Sequence, residues 1–585
     1  MRITNPNDSA VNIEIYGTDD NGEVSRSGPV RLILDAQASI QFTAQDLEYG
    51  NLDLGLDGSF CDGDGKWQLQ LRSDYTIEAM SLIRAPSGFL TGMTDVAPQE
   101  ENTHQVFYVH NASDQERTTF LRIINETAET TTVVITGVDD SGNAGESAVR
   151  FLIGPNEATQ ITSGDLENGN QVKELVGSFG DGDGNWRVTV SSDLALDVQS
   201  LARLPGSNLT NLSTIAAGSG NSRILDLVEP ADEGSRSSLL RIINTSSNVS
   251  TLSIAAIDDT GSDAPGGDVQ FTLAPLEARE VSVSDLENGN TGLELAGTLG
   301  DGSGRWRMTV TSDNTLEVMG LAETSDGFLT NLSRAASSES GNSHDVPIFN
   351  PASNVVRRSI LRVINNSAEQ AEITISGIDD SGQPGDSNVA FNLSAGSAIQ
   401  ITAIDLETGN AELGLVGAFG DGAGKWRLSV DSNKPIQVLG ALENDAGQIS
   451  NLNNTVVENT IFQSAIFSTG KTTSFSSSNG VAQAGSSFGF SITNRSKFAL
   501  DLRGYTAADA DGSEFVSITA EERPDLLNNG SLAQGESAGV SVTLSSARRL
   551  PITTTFIYVH PEDGSDEAGR EQTIAAEHDV IRFNF

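Results

Sequence analysis

The sequence predicts an all-β protein: a tandem array of about five β-sandwich domains, the first lacking its leading strand. Three observations carry this reading. Trp67, Trp186, Trp306 and Trp426 stand at intervals of 119, 120 and 120 residues, so the chain is read as repeats before it is read as motifs. Each repeat alternates short Val-, Ile- and Thr-rich runs at period two with polar turns. The chain of 585 residues far exceeds one core, since about 150 residues per domain suggests roughly four.

The landmarks recur in a fixed order. First comes an Arg-Ile/Val strand, at Arg2, Arg122, Arg241 and Arg362. A DD-x-G turn follows, at Asp19–Gly22, Asp139–Gly142, Asp258–Gly261 and Asp379–Gly382; acidic residues and glycine between alternating strands mark a hairpin. TTVVITGV, VRFLI, ATQIT, WRVTV and LALDVQSL then read as strands. The helical signal is SGDLENGN, where Ser163 is placed to cap one turn with Asp165 and Glu167 near its positive end. Last come the glycine loop with its tryptophan and a closing NLS-like segment. A unit of this length is a whole domain rather than a propeller blade or solenoid rung.

Polar stretches such as PQEENT, GSGNS and SSESGNS mark the boundaries. They give units at 1–97, 98–217, 218–337, 338–456 and 457–585. Short links restrict hinge motion, so the expected shape is beads on a semi-stiff string. Repeat two carries an extra strand-like piece, HQVFYVHNASD, ahead of its arginine strand, whereas repeat one opens directly on RITNPNDSAVNIEIYG. No leader peptide is visible there. The expectation is that the chain is the carboxyl-terminal part of a longer exported polypeptide. The tail lacks the glycine loop, yet FGFSITNRSKFALDLRGYTAADADG keeps the rhythm of strand, Asn, strand and acidic turn. It reads as a divergent fifth sandwich, with IRFNF as its final strand.

Within that tail, the L-x-x-G-E-S-x-x-V-x-V string at 532–542 resembles the inter-strand turn of bacterial immunoglobulin-like and fibronectin-like modules. The 120-residue repeats ending in LTNLS resemble tandem modules on exported bacterial surface proteins and secreted hydrolases. The resemblance implies immunoglobulin-like sandwiches located outside the cell or at its surface. The Cys–Trp–Cys core of antibody domains is absent.

Composition narrows the function. Lys and Arg number 34 against 80 Asp and Glu, a formal charge of −46, which repels nucleic-acid phosphates and anionic membranes. No apolar run approaches a membrane span. Cys61 is the sole cysteine, so disulfide frameworks and multi-cysteine metal sites are excluded. Its counterparts Gly180, Gly300 and Gly420 mark the position as one for a small residue.

The glycine loops GSFCDGDGKW, GSFGDGDGNW, GTLGDGSGRW and GAFGDGAGKW raise the question of calcium. Asp181, Asp183 and Asn185 match the first three oxygen positions of a helix–loop–helix calcium hand, but Trp186 and Ser192 stand where it needs Gly and Glu. In other copies Lys66, Arg305 or Lys425 occupies a ligand position, and a cation there repels a divalent ion. The turn reading is preferred, with tryptophan opening the next strand and filling the core. Calcium remains the alternative, at Asp62 and Asp64, at Asp181 and Asp183, or at the paired Asp139 and Asp140. A phosphate cradle at GAGKW is excluded by Lys-Trp in place of Lys-Ser/Thr.

Catalysis finds little support. GESAG at 535–539 imitates a serine nucleophile elbow, with His560 and His578 downstream. That elbow needs a following helix, and VSVTL reads as strand. The remaining histidines, His104, His110 and His344, are scattered, with His104 and His344 in link-like sequence. The expected function is a non-catalytic extracellular structural or adhesive array, a stalk or spacer. The alternative is a glycan- or polymer-binding accessory module of a secreted enzyme. Its partners would be surface glycans or other cell-surface proteins.

Overall fold

The computed structural model describes residues 1–85, 90–93, 96–100, 102–231, 234–334 and 341–452. In the last unit it describes 460–461, 467–474, 477–478, 481–494, 499–533, 536–559 and 571–578. The fold is all-β and multi-domain. In the second repeat one sheet runs Val149–Ile153, Thr131–Asp139, Trp186–Ser191, Thr103–Val109 and Gln99–Glu100, edge to edge. The facing sheet runs Ala158–Thr162, Thr118–Asn125, Leu196–Arg203 and Leu209–Asn211. Period-two alternation turns Val133, Ile135, Val188 and Val190 of one sheet toward Leu121, Ile123 and Val198 of the other, forming one dry core.

Three kinds of strand organise the four repeats, the leading one described in repeats two, three and four. The leading strands are Thr103–Val109, Ser222–Val228 and Gly341–Phe349. The arginine strands are Arg2–Thr4, Thr118–Asn125, Arg236–Asn244 and Arg358–Asn365. The tryptophan strands are Gln68–Ser73, Trp186–Ser191, Trp306–Ser312 and Trp426–Glu443, the last running unbroken into both sheets of its repeat.

The helical turn is present as Ser163–Asn168, but its cap lies one residue earlier than the sequence suggests. Thr162 Oγ1 accepts from the Asp165 amide at 3.1 Å, and Asp165 accepts from the Thr162 amide at 2.8 Å. Ser163 is instead the first helical residue, and it is buried. The reciprocal box satisfies two end amides at once.

Two of the expected links are structured, and most of SSESGNS lies outside the described residues. GSGNS forms a hairpin in which Ala217–Ser219 pairs with Ser222–Val228, and Gln99–Glu100 pairs with Thr103–Val109. Ala97 and Ala216 lie in the cores of the repeats that follow them. His104 and His344 therefore belong to leading strands rather than links. The imidazole of His104 bridges the carbonyls of Ala97 and Leu196.

The units do not form a string. Each meets the next, and the fourth meets the first. Arg122 pairs with Asp20 at 2.7 Å, Arg241 with Asp140 at 2.5 Å, Arg362 with Asp259 at 2.6 Å, and Arg2 with Asp380 at 2.7 Å. The backbone repeats the pattern, with the amides of Ala158, Ala278, Ala398 and Ser39 donating to the carbonyls of Asp20, Asp140, Asp259 and Asp380. At the centre Leu90–Gly92, Leu209–Asn211, Leu329–Asn331 and Ile449–Asn451 contact one another in cyclic order. The four repeats thus close into a ring with a pseudo-fourfold axis.

The tail is a separate sandwich. Phe467–Ser474, Ser487–Asn494 and Ser537–Thr543 form one of its sheets. Glu514–Thr519, Leu500–Ala508, Ile552–Val559 and Glu571–His578 form another. Phe490, Tyr505, Phe556 and Tyr558 fill the space between them. The IRFNF segment lies outside the described residues.

A closed ring is compact. Small-angle scattering of the whole chain should give a radius of gyration near the roughly 25 Å of a packed protein of this length, whereas a string would give roughly twice that.

Candidate functional site

The acidic turns and the glycine loops form one structure. In the second repeat Asp139 accepts from the amide of Asn143 at 2.8 Å and of Asp183 at 3.1 Å, tying the DD-x-G turn to the glycine loop. Asp19, Asp258 and Asp379 bind the amides of Asp64, Ser303 and Ala423 in the same way. The second aspartate faces two ways. One oxygen of Asp140 accepts from the Asn185 amide at 2.8 Å, and the other accepts from Arg241 of the next repeat at 2.5 Å. Arg241 is fully buried, and its Nε donates to the Phe107 carbonyl of the preceding leading strand at 3.0 Å. Gly142 is required at the same junction. Its φ is +85°, and a Cβ there would lie 2.6 Å from the Pro275 carbonyl oxygen of the next repeat.

Burial raises the carboxyls of Asp258 and Asp379, but the hydroxyls of Thr260 and Ser381 and the loop amides outweigh it and hold both below the usual carboxylate range. The calcium candidates of the sequence separate accordingly. Asp139 and Asp140 are occupied by amides and by the arginine. Asp62, Asp64, Asp181 and Asp183 are exposed on the loops, with Asn21 donating to Asp64 at 3.0 Å and Ser141 to Asp183 at 2.7 Å. Among the described residues, no three or more His, Cys, Asp and Glu side chains are grouped to hold a metal ion.

Three of the four indoles are interior. Trp186, Trp306 and Trp426 are 1%, 0% and 2% exposed, and their N–H groups donate to Glu167, Glu287 and Glu407 at 2.8, 2.7 and 2.9 Å. Sequence reasoning missed these glutamates and the junction arginines. The available signal was their position: the third residue of every DLE, and a cation in the middle of every otherwise apolar RIIN-like strand.

Ser537 opens the strand Ser537–Thr543, with its Oγ 2.7 Å from Thr493 Oγ1. No helix follows it. His560 lies outside the described residues, and His578 ends a strand opposite Ile552.

The first repeat departs from its sisters. Among the described residues no leading strand covers its tryptophan strand; Thr460–Ile461 pairs in parallel with Arg72–Ser73. Trp67, Leu69 and Leu71 are only partly buried, although Trp67 still donates to Glu48 at 2.9 Å. Between this strand and the second repeat lies a cleft of about 740 Å³, bordered by Trp67, Leu69, Met93, Phe120, Arg122 and Leu201.

No family model matches the chain, and no curated protein sequence matches it. Among solved structures, a tetra-tandem repeat from the extending region of a large adhesion protein aligns at 11% identity, covering 78% of this chain and 93% of its own, with a TM-score of 0.12. A β-glucuronidase from Bacteroides uniformis aligns at 10% identity over 44% of this chain and 26% of its own, with a TM-score of 0.13. Superpositions this poor carry no argument about function.

Two expectations follow. A soluble quencher such as acrylamide should reach Trp67 and spare the other three indoles, so Trp67→Phe should remove nearly all the quenchable emission. The second expectation concerns pH. Burial, helped by Arg117, pushes His110 down from 6.5 to about 4. The unfolded chain then takes up a proton in that window that the folded chain refuses, so stability falls as pH drops through it. Burial pushes Asp226 up from 3.8 to about 6, against the pull of Arg307 and Arg362, and this works in the opposite sense: stability falls as pH rises from 3.8 to 6. In denaturant titrations His110→Asn should flatten the first slope and Asp226→Asn the second.

Proposed function

We propose that the chain is a non-catalytic structural and adhesive module of a bacterial surface or secreted protein, in which four sandwiches form a rigid scaffold and the fifth is an appended domain. The observation that carries this reading is the use of the acidic turns. The residues with the most chemical potential, the repeated aspartate pairs, are engaged in holding each repeat to the next. Active sites are rarely copied four times and then closed with arginine.

The burial of Trp186, Trp306 and Trp426 supports this reading over glycan binding, which needs aromatic faces open to solvent. Closure of the ring shifts the emphasis within it. A string would provide reach, whereas a ring provides a stiff platform with fixed spacing between equivalent faces. The strong negative charge suits display in a salty exterior, where it keeps copies apart. Among the described residues no helix is long and apolar enough to cross a membrane.

Two measurements test the proposal. The full chain incubated with model glycosides, esters, phosphate esters and peptides should give no turnover above buffer; turnover abolished by a point substitution would overturn it. Thermal melts in calcium and in chelator should agree to within about one degree, since a ligand bound by the folded state alone would raise the transition.

A further inference from the structure

The junctions share their arginine–aspartate pair but differ in a second set of charges. Between repeats three and four that set is balanced. Arg305 pairs with Glu229 at 2.8 Å, Glu229 with Arg236 at 2.7 Å, and Arg236 with Glu443 of repeat four at 2.6 Å. Glu229 and Arg236 are buried, so each carboxylate there offsets the guanidiniums beside it. Between repeats two and three Arg117 meets Glu323 in the same manner.

Register fixes the equivalent positions between repeats four and one. Arg84 stands opposite Leu90, as Glu443 stands opposite Ile449 and Glu323 opposite Leu329. Arg357 lies five residues before Arg362, as Arg236 lies five before Arg241. The amide of Asn350 donates to Ser359 as that of Glu229 donates to Ser238. The amide of Lys425 donates to Asp380 as that of Arg305 donates to Asp259. The places of Arg305, Glu229, Arg236 and Glu443 are therefore taken by Lys425, Asn350, Arg357 and Arg84. Two acids and two cations have become three cations and an amide.

Lys425, Arg357 and Arg84 line one cleft at this junction. Among the described residues none of the three forms an ion pair, and Nε of Arg357 is buried without a hydrogen-bond partner. The carboxylates beside them are engaged. Asp46, which borders the cleft, accepts from Thr43 and Asn51, and Asp380 pairs with Arg2. Burial and the charge of Arg84 hold Arg357 below the usual guanidinium range. In a chain with a formal charge of −46, positive charge gathered without acids is a local exception.

We propose that this cleft binds a carboxylate ligand, whose oxygens take the places that Glu229 and Glu443 hold at the sister junction. Arg357 and Arg84 supply forked N–H donors from two different repeats, and Lys425 supplies a point charge. The bound carboxylate replaces repulsion across the junction with attraction to both sides. This inference goes beyond the scaffold reading and does not depend on it.

The test titrates the full chain with glutarate, a dicarboxylate able to fill both places, and with neutral glutaramide as the control. Glutarate should bind saturably and glutaramide should not, and added salt should weaken the binding. Arg84→Glu restores the charge pattern of the sister junctions. It should weaken glutarate binding about tenfold or more and raise the thermal transition, because Arg357 then gains the partner that Arg236 has. Lys425→Gln, a change at a partly exposed loop residue, should weaken binding severalfold without lowering the transition. Polyglutamate at equal carboxylate concentration identifies the source of the ligand. Displacement of glutarate places the carboxylate on a polymer and no displacement makes it a free ion, either result upholding the site. The proposal is overturned if glutarate fails to bind, or if the Arg84→Glu variant binds it as tightly as the parent. It is equally overturned if Arg84→Glu lowers the transition, which would mean that Arg84 already has an acidic partner in the protein.

Discussion

The ring depends on one contact made four times, an arginine from the middle of an apolar strand held by the second aspartate of the preceding repeat's turn. A buried ion pair of this kind adds little net stability, because removing both charges from water offsets most of their attraction. Its value lies in direction. The guanidinium is planar and its donors are fixed in a fork, so Arg241 cannot satisfy Asp140, the Phe107 carbonyl and its own strand at more than one relative angle of the two sandwiches. Leaving either charge alone would cost about 3–5 kcal/mol, which excludes slightly rotated packings. The angle is therefore set locally and repeated, and four equal steps bring the last unit to the first.

Closure then follows from accumulated geometry. Once three junctions are made, the fourth joins groups already held together, and its effective concentration far exceeds that of two free domains. The axis reinforces this with short-range bonds. Thr91 donates to the Leu209 carbonyl at 2.8 Å, Asn331 to the Thr214 carbonyl at 2.9 Å, and Asn451 to the Arg334 carbonyl at 2.9 Å. The LTNLS segments, which look in sequence like the ends of modules, are the inner wall of the assembly.

The sandwiches were legible in the sequence because their signals are local. Alternation, turn residues and the tryptophan interval act within a few residues, and each predicted core strand of repeat two is present. The helix cap shifted by one position because Thr162 and Ser163 are both competent caps and only tertiary packing buries the second. The ring was not legible, because its bonds join Arg122 to Asp20 and Arg2 to Asp380, across a hundred residues or well over half the chain. A pattern confined to one repeat cannot say whether its invariant acids face a metal, solvent or the next copy. The discriminating clue was the arginine in the RIIN strands, since an unpaired cation there would be intolerable in a core. The links misled for a related reason: polar, glycine-rich sequence marks hairpins as readily as hinges, and GSGNS is the former.

The same logic applies to the leading strands. A leading strand is shared, contributing two residues to its own core and one to the next repeat, and in repeats two and four a carbonyl that accepts from the next arginine. Among the described residues no such strand lies on repeat one, where Trp67 is only half-buried and borders a cleft. At the junction between repeats four and one the strand belongs to repeat four, and Arg2 reaches its Pro347 carbonyl as well as Asp380. Because each such strand fills one core and packs on the next, the leading strands of repeats two, three and four couple the interior of each sandwich to its junction, and a change in one core is felt at the neighbour's surface.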